Sequence, residues 1–366
     1  MWLLTKMTRK NYEENLNWYG WTTPFSGYGI VSLEYMVALD KLTGGKVSVG
    51  WQRRIPDNSN EWRTLSPEQQ NLIHYKPFEK SRIGIMKTTP ELFNNNISDI
   101  RIGYTMVENT KVGKSWIDKC MAMDALFVPS KYLVDVFKES GFTKPIYTVK
   151  QGINPELFKY HDRRKNRKRK TFVFGTAGWL DDRKNWQEMV TAFTSEFDHG
   201  EDVELWLKNS NNMFGYEQPA DQRVKLIDEL LSFEGMQILY KNIDCFLFCS
   251  RAEGAGMPGR EAMATGIPTI LTNWSGMADV CDTRFNYPLE PVAIDLPDAR
   301  QQDEQPGFQA RISVEELMYW MRYIFEHQDE AFDKGKLASD WMHNEWSWDA
   351  CANDMLDTLE KHFDYK

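Results

Sequence analysis

The sequence has little of what a membrane-spanning or disulfide-bonded protein needs. No apolar run approaches the ~20 residues of a membrane helix, and the first residues are too short for the apolar core of a signal peptide. The five cysteines are odd in number and contain no C-x-x-C pair. Cys245 and Cys249 lie in an apolar run, where a free thiol behaves as a small hydrophobe. We therefore expect a cytoplasmic protein with reduced thiols.

Length and composition predict two domains. Single hydrophobic cores rarely grow past roughly 250–300 residues, and this chain has 366 residues. Hydrophobic residues make up 42% of the chain and aromatic residues 13%, which is enough for two ordinary cores. The sequence contains no internal repeat.

The formal net charge of −9 conceals an uneven distribution. Residues 1–170 contain 28 Lys and Arg against 17 Asp and Glu, a net charge of +11, whereas residues 171–366 carry −20. A basic front half is typical of contact with a polyanion or with an anionic membrane surface. The alternative is that the two halves simply attract each other across a cleft.

The most informative stretch runs from residue 243 to residue 272. A short apolar run of strand length is followed by a loop with three glycines, and Glu261 lies in the predicted first turn of a helix. A strand, a glycine loop and a helix start place backbone N–H groups where an anionic ligand can be held. The carboxylates of Glu253 and Glu261 suit the hydroxyl groups of a ribose or a sugar ring, because they accept hydrogen bonds.

This stretch resembles the E-x7-E signature of retaining, nucleotide-sugar-dependent glycosyltransferases of the GT-B fold, family 4. The alternative is a cluster of loop glycines in another α/β protein. The resemblance is carried by Ser250, Glu253-Gly, Gly256-Met-Pro, Glu261-Ala-Met-Ala, Gly266-Ile-Pro and Gly276.

The resemblance implies an α/β fold of two Rossmann-like domains that face each other across a cleft. It places an acceptor-side domain at residues 1–160 and a nucleotide-sugar-binding domain at residues 161–345. A C-terminal helix at 346–366 is expected to cross back to the first domain. Residues 124–158 match the family's pattern for the end of the first domain.

Thr176 to Asn185 resembles the family motif G-x-L-x-x-R-K-N, in which the Arg-Lys pair lies on the donor diphosphate. Here the pair is Arg183-Lys184. Two cations can stabilise the growing charge of a diphosphate leaving group without a metal. We therefore predict no metal, and no cofactor besides the nucleotide-sugar co-substrate. The alternative is surface charge, although cations at a helix start are poorly placed against the helix dipole.

Glu108 follows the predicted strand at 100–105, and ligands of open α/β sheets lie beyond such strand ends. Family members often carry a histidine near this point, and this sequence has none there. Glu108 is nevertheless a candidate catalytic residue, together with Glu253, Lys184 and Arg183. The candidate donor contacts are Glu261, Gly256, Met257, Lys208, Gly276, Gly27 and Gly29.

Seven of the eight residues from Arg163 to Lys170 are basic. Clusters of Lys and Arg neutralise phosphate charge without reading sequence. A solvated linker between the domains is the alternative. The candidate contacts to an acceptor or polyanion are Arg163, Arg164, Lys165 and Arg167.

Helical spacing of apolar residues predicts several helices in addition to the motif helix. They are expected at Ile30–Leu42, Lys131–Ser140, Trp186–Phe197, Val224–Leu231, Val314–His327 and Asp340–His362.

The family resemblance implies a retaining glycosyltransferase that moves a hexose or pentose from a nucleotide-diphosphate sugar to an acceptor hydroxyl. A glycan or a lipid-linked precursor is the expected acceptor, and the basic front half suits peripheral contact with an anionic membrane. One alternative is an enzyme that modifies hydroxymethylated DNA bases, which it would have to expose. The other is a non-catalytic relative that only binds nucleotide sugars.

Overall fold

The computed structural model describes residues 12–50, 59–74, 78–166, 170–209, 217–296 and 307–366. Two six-stranded sheets form its framework, and within each sheet all neighbouring strands are parallel. Parallel neighbours need crossover connections, which place helices on the sheet faces. The predicted α/β class is confirmed.

The first sheet and its helices form the first unit. The strands are β1 Leu16–Gly20, β2 Val47–Val49, β3 Ile83–Lys87, β4 Ile100–Tyr104, β5 Ala125–Val128 and β6 Ile146–Thr148. Their order across the sheet is β2-β1-β3-β4-β5-β6. The helices are α1 Gly27–Thr43, α2 Asn60–Arg63, α3 Pro67–His74, α4 Lys114–Cys120 and α5 Lys131–Glu139, with a 3-10 helix at Pro90–Asn95.

The second sheet and its helices form the second unit. The strands are β7 Phe172–Gly178, β8 Val203–Asn209, β9 Val224–Asp228, β10 Cys245–Phe248, β11 Thr269–Thr272 and β12 Tyr287–Leu289. Their order is β12-β11-β10-β7-β8-β9. The helices are α6 Arg163–Asn166, α7 Trp186–Glu196, α8 Phe233–Lys241, α9 Met257–Ala264, α10 Val314–Glu326 and α11 Gln328–Glu345, with 3-10 helices at Asp182–Lys184 and Ser275–Val280.

Two smaller features complete the fold. A two-stranded antiparallel ribbon pairs β13 Ala293–Asp295 with β14 Gln309–Arg311. The last helix is α12 Trp348–Phe363. Among the helices that the structure describes, none has the length and apolar content to cross a membrane.

Helix α12 packs on the first unit although it follows the second unit in the chain. Its Met355 and Leu356 share a buried core with Tyr35 and Leu39 of α1. The Arg82 guanidinium, beside β3, donates to the backbone carbonyls at the end of α12. Burial of this apolar helix face joins the end of the chain to its beginning.

The chain crosses between the units twice, and the two crossings lie side by side. The Ile153 amide donates to the Trp346 carbonyl at 2.7 Å, and the Trp348 amide donates to the Ile153 carbonyl at 3.2 Å. The prediction of one helix over Asp340–His362 is therefore wrong. The chain leaves α11 to make this crossing, and Ser347 begins α12 by accepting a hydrogen bond from the amide of Ala350 at 3.2 Å.

The helix predicted at Val224–Leu231 is also wrong, because this segment forms the edge strand β9. It pairs in parallel with β8, from Leu205 opposite Val224 to Asn209 opposite Asp228. A short apolar run has no periodicity that separates a strand from a helix. The available edge of β8, a tertiary feature, decides between them.

Candidate functional site

The two units meet at the carboxyl ends of their strands. Glu108 follows β4 and Arg183 follows β7, and the carboxylate of the first lies 2.9 Å from Nε of the second. The Lys131 amide, after β5, donates to the carboxylate of Asp279, after β11, at 3.1 Å. Ligands of open α/β sheets bind beyond the carboxyl ends of strands. The seam between the units is therefore the candidate site.

A carboxylate and two cations are in direct contact at this seam. The strands β7 and β10 are parallel neighbours, so the loops that follow them lie side by side. Oε1 of Glu253 accepts hydrogen bonds from Nη1 of Arg183 at 2.7 Å and from Oγ of Ser250 at 2.8 Å, and it also forms an ion pair with Lys184. Each of the three charged side chains is only 10% exposed. The interpretation of Arg183-Lys184 as surface charge is therefore wrong.

The charges at the seam determine the ionisation of its carboxylates. Burial by itself would raise the pKa of Glu253, but Arg183 and Lys184 hold it well below the usual range of a carboxyl group. Burial raises the pKa of Glu108, and Arg183 acts in the opposite direction. Burial disfavours the charged form of Arg183, yet Glu108 and Glu253 raise its pKa. Two cations and two carboxylates thus form one buried ionic cluster.

A short turn directs both cations inward. Asp181 caps the 3-10 helix Asp182–Lys184 by accepting a hydrogen bond from the Lys184 amide at 3.2 Å, and Asn185 ends it in the left-handed region with φ 58°. The Arg251 amide donates to the Arg183 carbonyl at 2.7 Å. These hydrogen bonds tie the turn after β7 to the loop after β10.

The loop that carries Glu253 is held by a second loop, which follows β11. The Glu253 amide donates to Oγ of Ser275 at 2.8 Å, and its carbonyl accepts from the Gly276 amide at 2.9 Å. A Cβ atom at Gly276 would lie 2.2 Å from the Gly254 carbonyl oxygen. Gly256 begins α9 in the left-handed region with φ 77°. The glycines of the motif therefore allow the two loops to pack backbone against backbone.

Glu261 lies in α9 and faces α8. Its Oε2 accepts a hydrogen bond from the Tyr240 hydroxyl at 2.8 Å. Burial raises the pKa of Glu261 to about 7, and the Tyr240 hydrogen bond opposes this effect. Glu261 therefore titrates near neutral pH, unlike Glu253.

The other predicted donor contacts are distributed over both units. Lys208 is buried near the carboxyl end of β8, next to β7, and burial lowers its pKa. Met257 packs against the core of the first unit. Gly27 and Gly29 lie in the first turn of α1. Arg183 thus contacts both Glu108 and Glu253, and Lys184 contacts Glu253. Lys208 belongs to the second unit, and Gly27 and Gly29 belong to the first.

The basic run does not form a free basic surface where the structure describes it. Arg163 is buried and donates to the backbone carbonyls of residues 161, 240, 243 and 265. The prediction that Arg163 contacts a polyanion is therefore wrong, and its guanidinium has a structural role. Arg164 forms ion pairs with Asp329 and Asp333, and Lys165 pairs with a neighbouring aspartate. Arg167 lies outside the described residues.

Arg260 is a site residue that sequence reasoning missed. It is fully buried in α9, and it donates to the Gln151 carbonyl at 3.3 Å and to the Gly276 carbonyl at 3.4 Å. Its guanidinium lies 4.5 Å from the centre of the Trp346 ring. Arg260 therefore connects the motif helix to both crossing segments. Its position directly before Glu261, in an otherwise apolar helix start, was the available signal.

Two parallel Rossmann-like sheets whose strand ends meet at one seam define a GT-B fold. Residues 159–287 match the family described as Glycosyl transferases group 1. This part of the chain is thus a group 1 glycosyltransferase domain, consistent with the family 4-like resemblance.

Solved structures share the whole fold at low sequence identity. Sucrose-phosphate synthase from Thermosynechococcus elongatus has a TM-score of 0.71 and 14% identity over 97% of this chain and 100% of that chain. HepE from Anabaena in complex with UDP and glucose has a TM-score of 0.70 and 12% identity, over 95% of this chain and 100% of that chain. WaaG, a glycosyltransferase involved in lipopolysaccharide biosynthesis, has a TM-score of 0.64 and 14% identity, over 94% of this chain and 99% of that chain. No curated protein matches the sequence.

The contact between Gly276 and Gly254 can be tested by Gly276→Ala. We expect a loss of about 1–3 kcal/mol in the free energy of unfolding, because the new Cβ atom meets a backbone oxygen that no rotamer change can move. Urea unfolding measures the loss. Gly200→Ala is the matched control, since a Cβ atom there would meet nothing within 4 Å. Equal stabilities for the two variants would contradict the close packing.

Proposed function

We propose that this protein is a retaining glycosyltransferase that moves a sugar from a nucleotide-diphosphate donor to an acceptor hydroxyl. The observation that carries the proposal is the buried contact of Arg183, Lys184 and Glu253 at the seam, within a group 1 glycosyltransferase domain. A buried pair of cations is suited to a polyanionic leaving group. The structure of HepE in complex with UDP and glucose supports a nucleotide sugar as the donor class.

In this proposal the second unit holds the donor. Arg183 and Lys184 bind the diphosphate, and Glu261 accepts hydrogen bonds from the ribose hydroxyls. Glu253 accepts hydrogen bonds from hydroxyls of the transferred sugar while its other contacts keep it ionised. Gly256 and Met257 begin α9, whose N-terminal amides favour an anion. Gly276 supports this loop. Lys208, near the carboxyl end of β8, contacts the nucleotide in this proposal.

The chemistry follows from the charge that develops in the reaction. As the bond between sugar and diphosphate breaks, negative charge grows on the diphosphate oxygens, where the two cations stabilise it more than in the ground state. The diphosphate leaves from the face that the acceptor hydroxyl attacks, and it takes the acceptor proton. This route retains the anomeric configuration and needs neither a separate general base nor a metal ion. Glu108 orients Arg183 from the opposite unit.

For the acceptor we propose a glycan or a lipid-linked precursor. The DNA alternative loses support, because Arg163 is buried and Arg164 is paired with carboxylates. We also propose the domain division 1–160 with 346–366, and 161–345, which the paired crossings at Ile153 and Trp346 support. A cytoplasmic location agrees with five free cysteines.

Lys184→Ala tests the assignment of the cations. We expect kcat to fall roughly 10²- to 10³-fold with a smaller change in donor affinity, because the charge that Lys184 faces grows in the transition state. Initial rates at saturating donor measure the effect. Lys225→Ala, on the exposed edge of β9, is the control and should leave kcat unchanged. Unchanged turnover in Lys184→Ala would remove Lys184 from the mechanism.

The pH dependence of nucleotide binding tests Glu261. The ionised carboxylate is the better acceptor for ribose hydroxyls, so the affinity for UDP should rise by up to roughly tenfold between about pH 6 and pH 8. Titration calorimetry of UDP with the wild type and with Glu261→Gln measures this. The difference between the two proteins excludes the titration of UDP itself. Parallel pH profiles would contradict the assignment.

Product mass spectrometry tests the function as a whole. One reaction mixture contains a panel of nucleotide sugars, a lipid and glycan extract, and duplex DNA with hydroxymethylated bases. We expect a hexose- or pentose-sized mass gain on a lipid or glycan. A gain on DNA would favour the DNA-modifying alternative. Neither transfer nor hydrolysis of any donor would favour the non-catalytic relative.

A further inference from the structure

The ribbon of β13 and β14 connects the two units next to the candidate site. It follows β12 in the chain, so it extends from the second unit. Nε2 of Gln309, in β14, donates a hydrogen bond to Oδ1 of Asn109 at 2.7 Å. Asn109 follows Glu108 in the loop after β4 of the first unit, and Asn109 and Gln309 are 0% and 1% exposed. A buried hydrogen bond between side chains thus crosses the seam one residue away from Glu108.

Backbone contacts fix the start of β14 against the same loop of the first unit. The Phe308 amide donates to Oγ1 of Thr110 at 2.9 Å. Gly307, directly before it, lies in the left-handed region with φ 110°. A Cβ atom at Gly307 would lie 2.4 Å from Oγ1 of Thr110 and 3.0 Å from the amide nitrogen of Lys111. The chain therefore lies against the loop after β4 with no room for a side chain at this glycine.

The strand β14 is also tied to the loops of the donor side. The Ala310 amide donates to the Arg251 carbonyl at 2.9 Å, and Nε of Arg251 donates to the Ala310 carbonyl at 3.2 Å. The Arg251 amide in turn donates to the Arg183 carbonyl at 2.7 Å. The carboxylate of Glu108 lies 2.9 Å from Nε of Arg183. These contacts form a closed ring that contains the pair of Arg183 and Glu108.

The amide pair in this ring selects one position of the ribbon relative to the first unit. Each amide side chain carries both a donor and an acceptor, and a buried polar group that loses its partner costs free energy. A shift of β14 along the seam would separate Gln309 from Asn109 while both stay buried. Neutral amides also add no charge to the neighbouring ionic cluster. The pair therefore fixes a geometry, as a buried Asn fixes the register of a coiled coil.

We infer that Gln309 and Asn109 are positioning residues, which hold Glu108 on Arg183 so that the guanidinium faces the donor diphosphate. The inference rests on the proposed function, in which Arg183 binds that diphosphate. Neither amide contacts a substrate in this inference, because both act through Glu108. A misplacement of about 1 Å in a reacting complex can lower the rate roughly a hundredfold. Loss of the amide pair should therefore reduce turnover more than donor binding.

Gln309→Met is the first test, because it removes the hydrogen bond and keeps a side chain of similar size. We expect kcat to fall about tenfold to a hundredfold. The affinity for UDP should stay at the wild-type value, because Arg183 keeps its contact with Glu253. Initial rates with the donor and acceptor that product mass spectrometry identifies, and calorimetric titration of UDP, measure the two effects. Gln222→Met, at an exposed position ahead of β9, should behave as the wild type.

Two combined variants separate positioning from a general structural role. In the Glu108→Gln background, Gln309→Met should cause no further loss of kcat, because its effect passes through Glu108. The exchanged pair Asn109→Gln with Gln309→Asn restores two facing amides of the same total length. It should recover much of the turnover that Gln309→Met loses.

A third variant keeps the test independent of the folding of Gln309→Met. Gly307→Ala leaves both amides in place, but its new Cβ atom meets Thr110, so β14 has to move away from the loop after β4. It should lower kcat and retain UDP affinity. Hydrogen exchange over residues 105–113 with UDP bound needs no activity, and it should be faster in Gln309→Met and Gly307→Ala than in the wild type.

Three results would overturn the inference. The first is wild-type turnover in Gln309→Met, and the second is a loss of kcat that multiplies with that of Glu108→Gln. The third is a parallel loss of kcat and UDP affinity. A wild type that binds UDP but transfers no sugar would count against the proposed function. Hydrogen exchange then decides whether the ribbon holds the loop, and equal exchange in the wild type and both variants would show that it does not.

Discussion

The structure depends on one buried cation that two carboxylates share. Arg183 lies between Glu253 of its own unit and Glu108 of the other unit, and its side chain is almost excluded from water. A buried guanidinium without partners is strongly unfavourable, so both carboxylates have to be in place. This requirement fixes the loop after β7 against the loop after β10, and it fixes the two units against each other. The charge pattern of the site and the arrangement of the units are therefore one constraint.

The backbone around this cluster explains why the motif is rich in small residues. Gly276 packs on the carbonyl of Gly254, and Gly256 starts α9 with a positive φ. Arg260 extends the same helix toward the crossing segments through Gln151 and the Trp346 ring. The loop that carries the acidic residues is thus connected, through one buried side chain, to the place where the chain passes between the units. A change in the relative position of the two units would therefore change the contacts of Arg260 with the crossing segments.

The difference in net charge between the two halves of the chain does not explain the charges at the seam. At the seam the signs are reversed, because Glu108 from the basic front half faces Arg183 from the acidic back half. The bulk asymmetry is expressed elsewhere, where α12 returns to the first unit and Asp349 and Asp354 pair with Lys41 and Lys150. Such exposed pairs contribute little to stability. The apolar face of α12 is therefore the main reason that it packs there.

The sequence alone determined the α/β class and the position of the motif, because a signature such as Glu253 to Glu261 lies within one loop and the helix that follows it. Only the tertiary structure decided which groups these residues meet. The pairing of Glu108 with Arg183 depends on how two sheets face each other, and the strand at β9 depends on a free edge of β8. The buried role of Arg163 likewise has no local signal. Periodicity and caps act over a few residues, whereas burial and ion pairing depend on segments that only folding brings together.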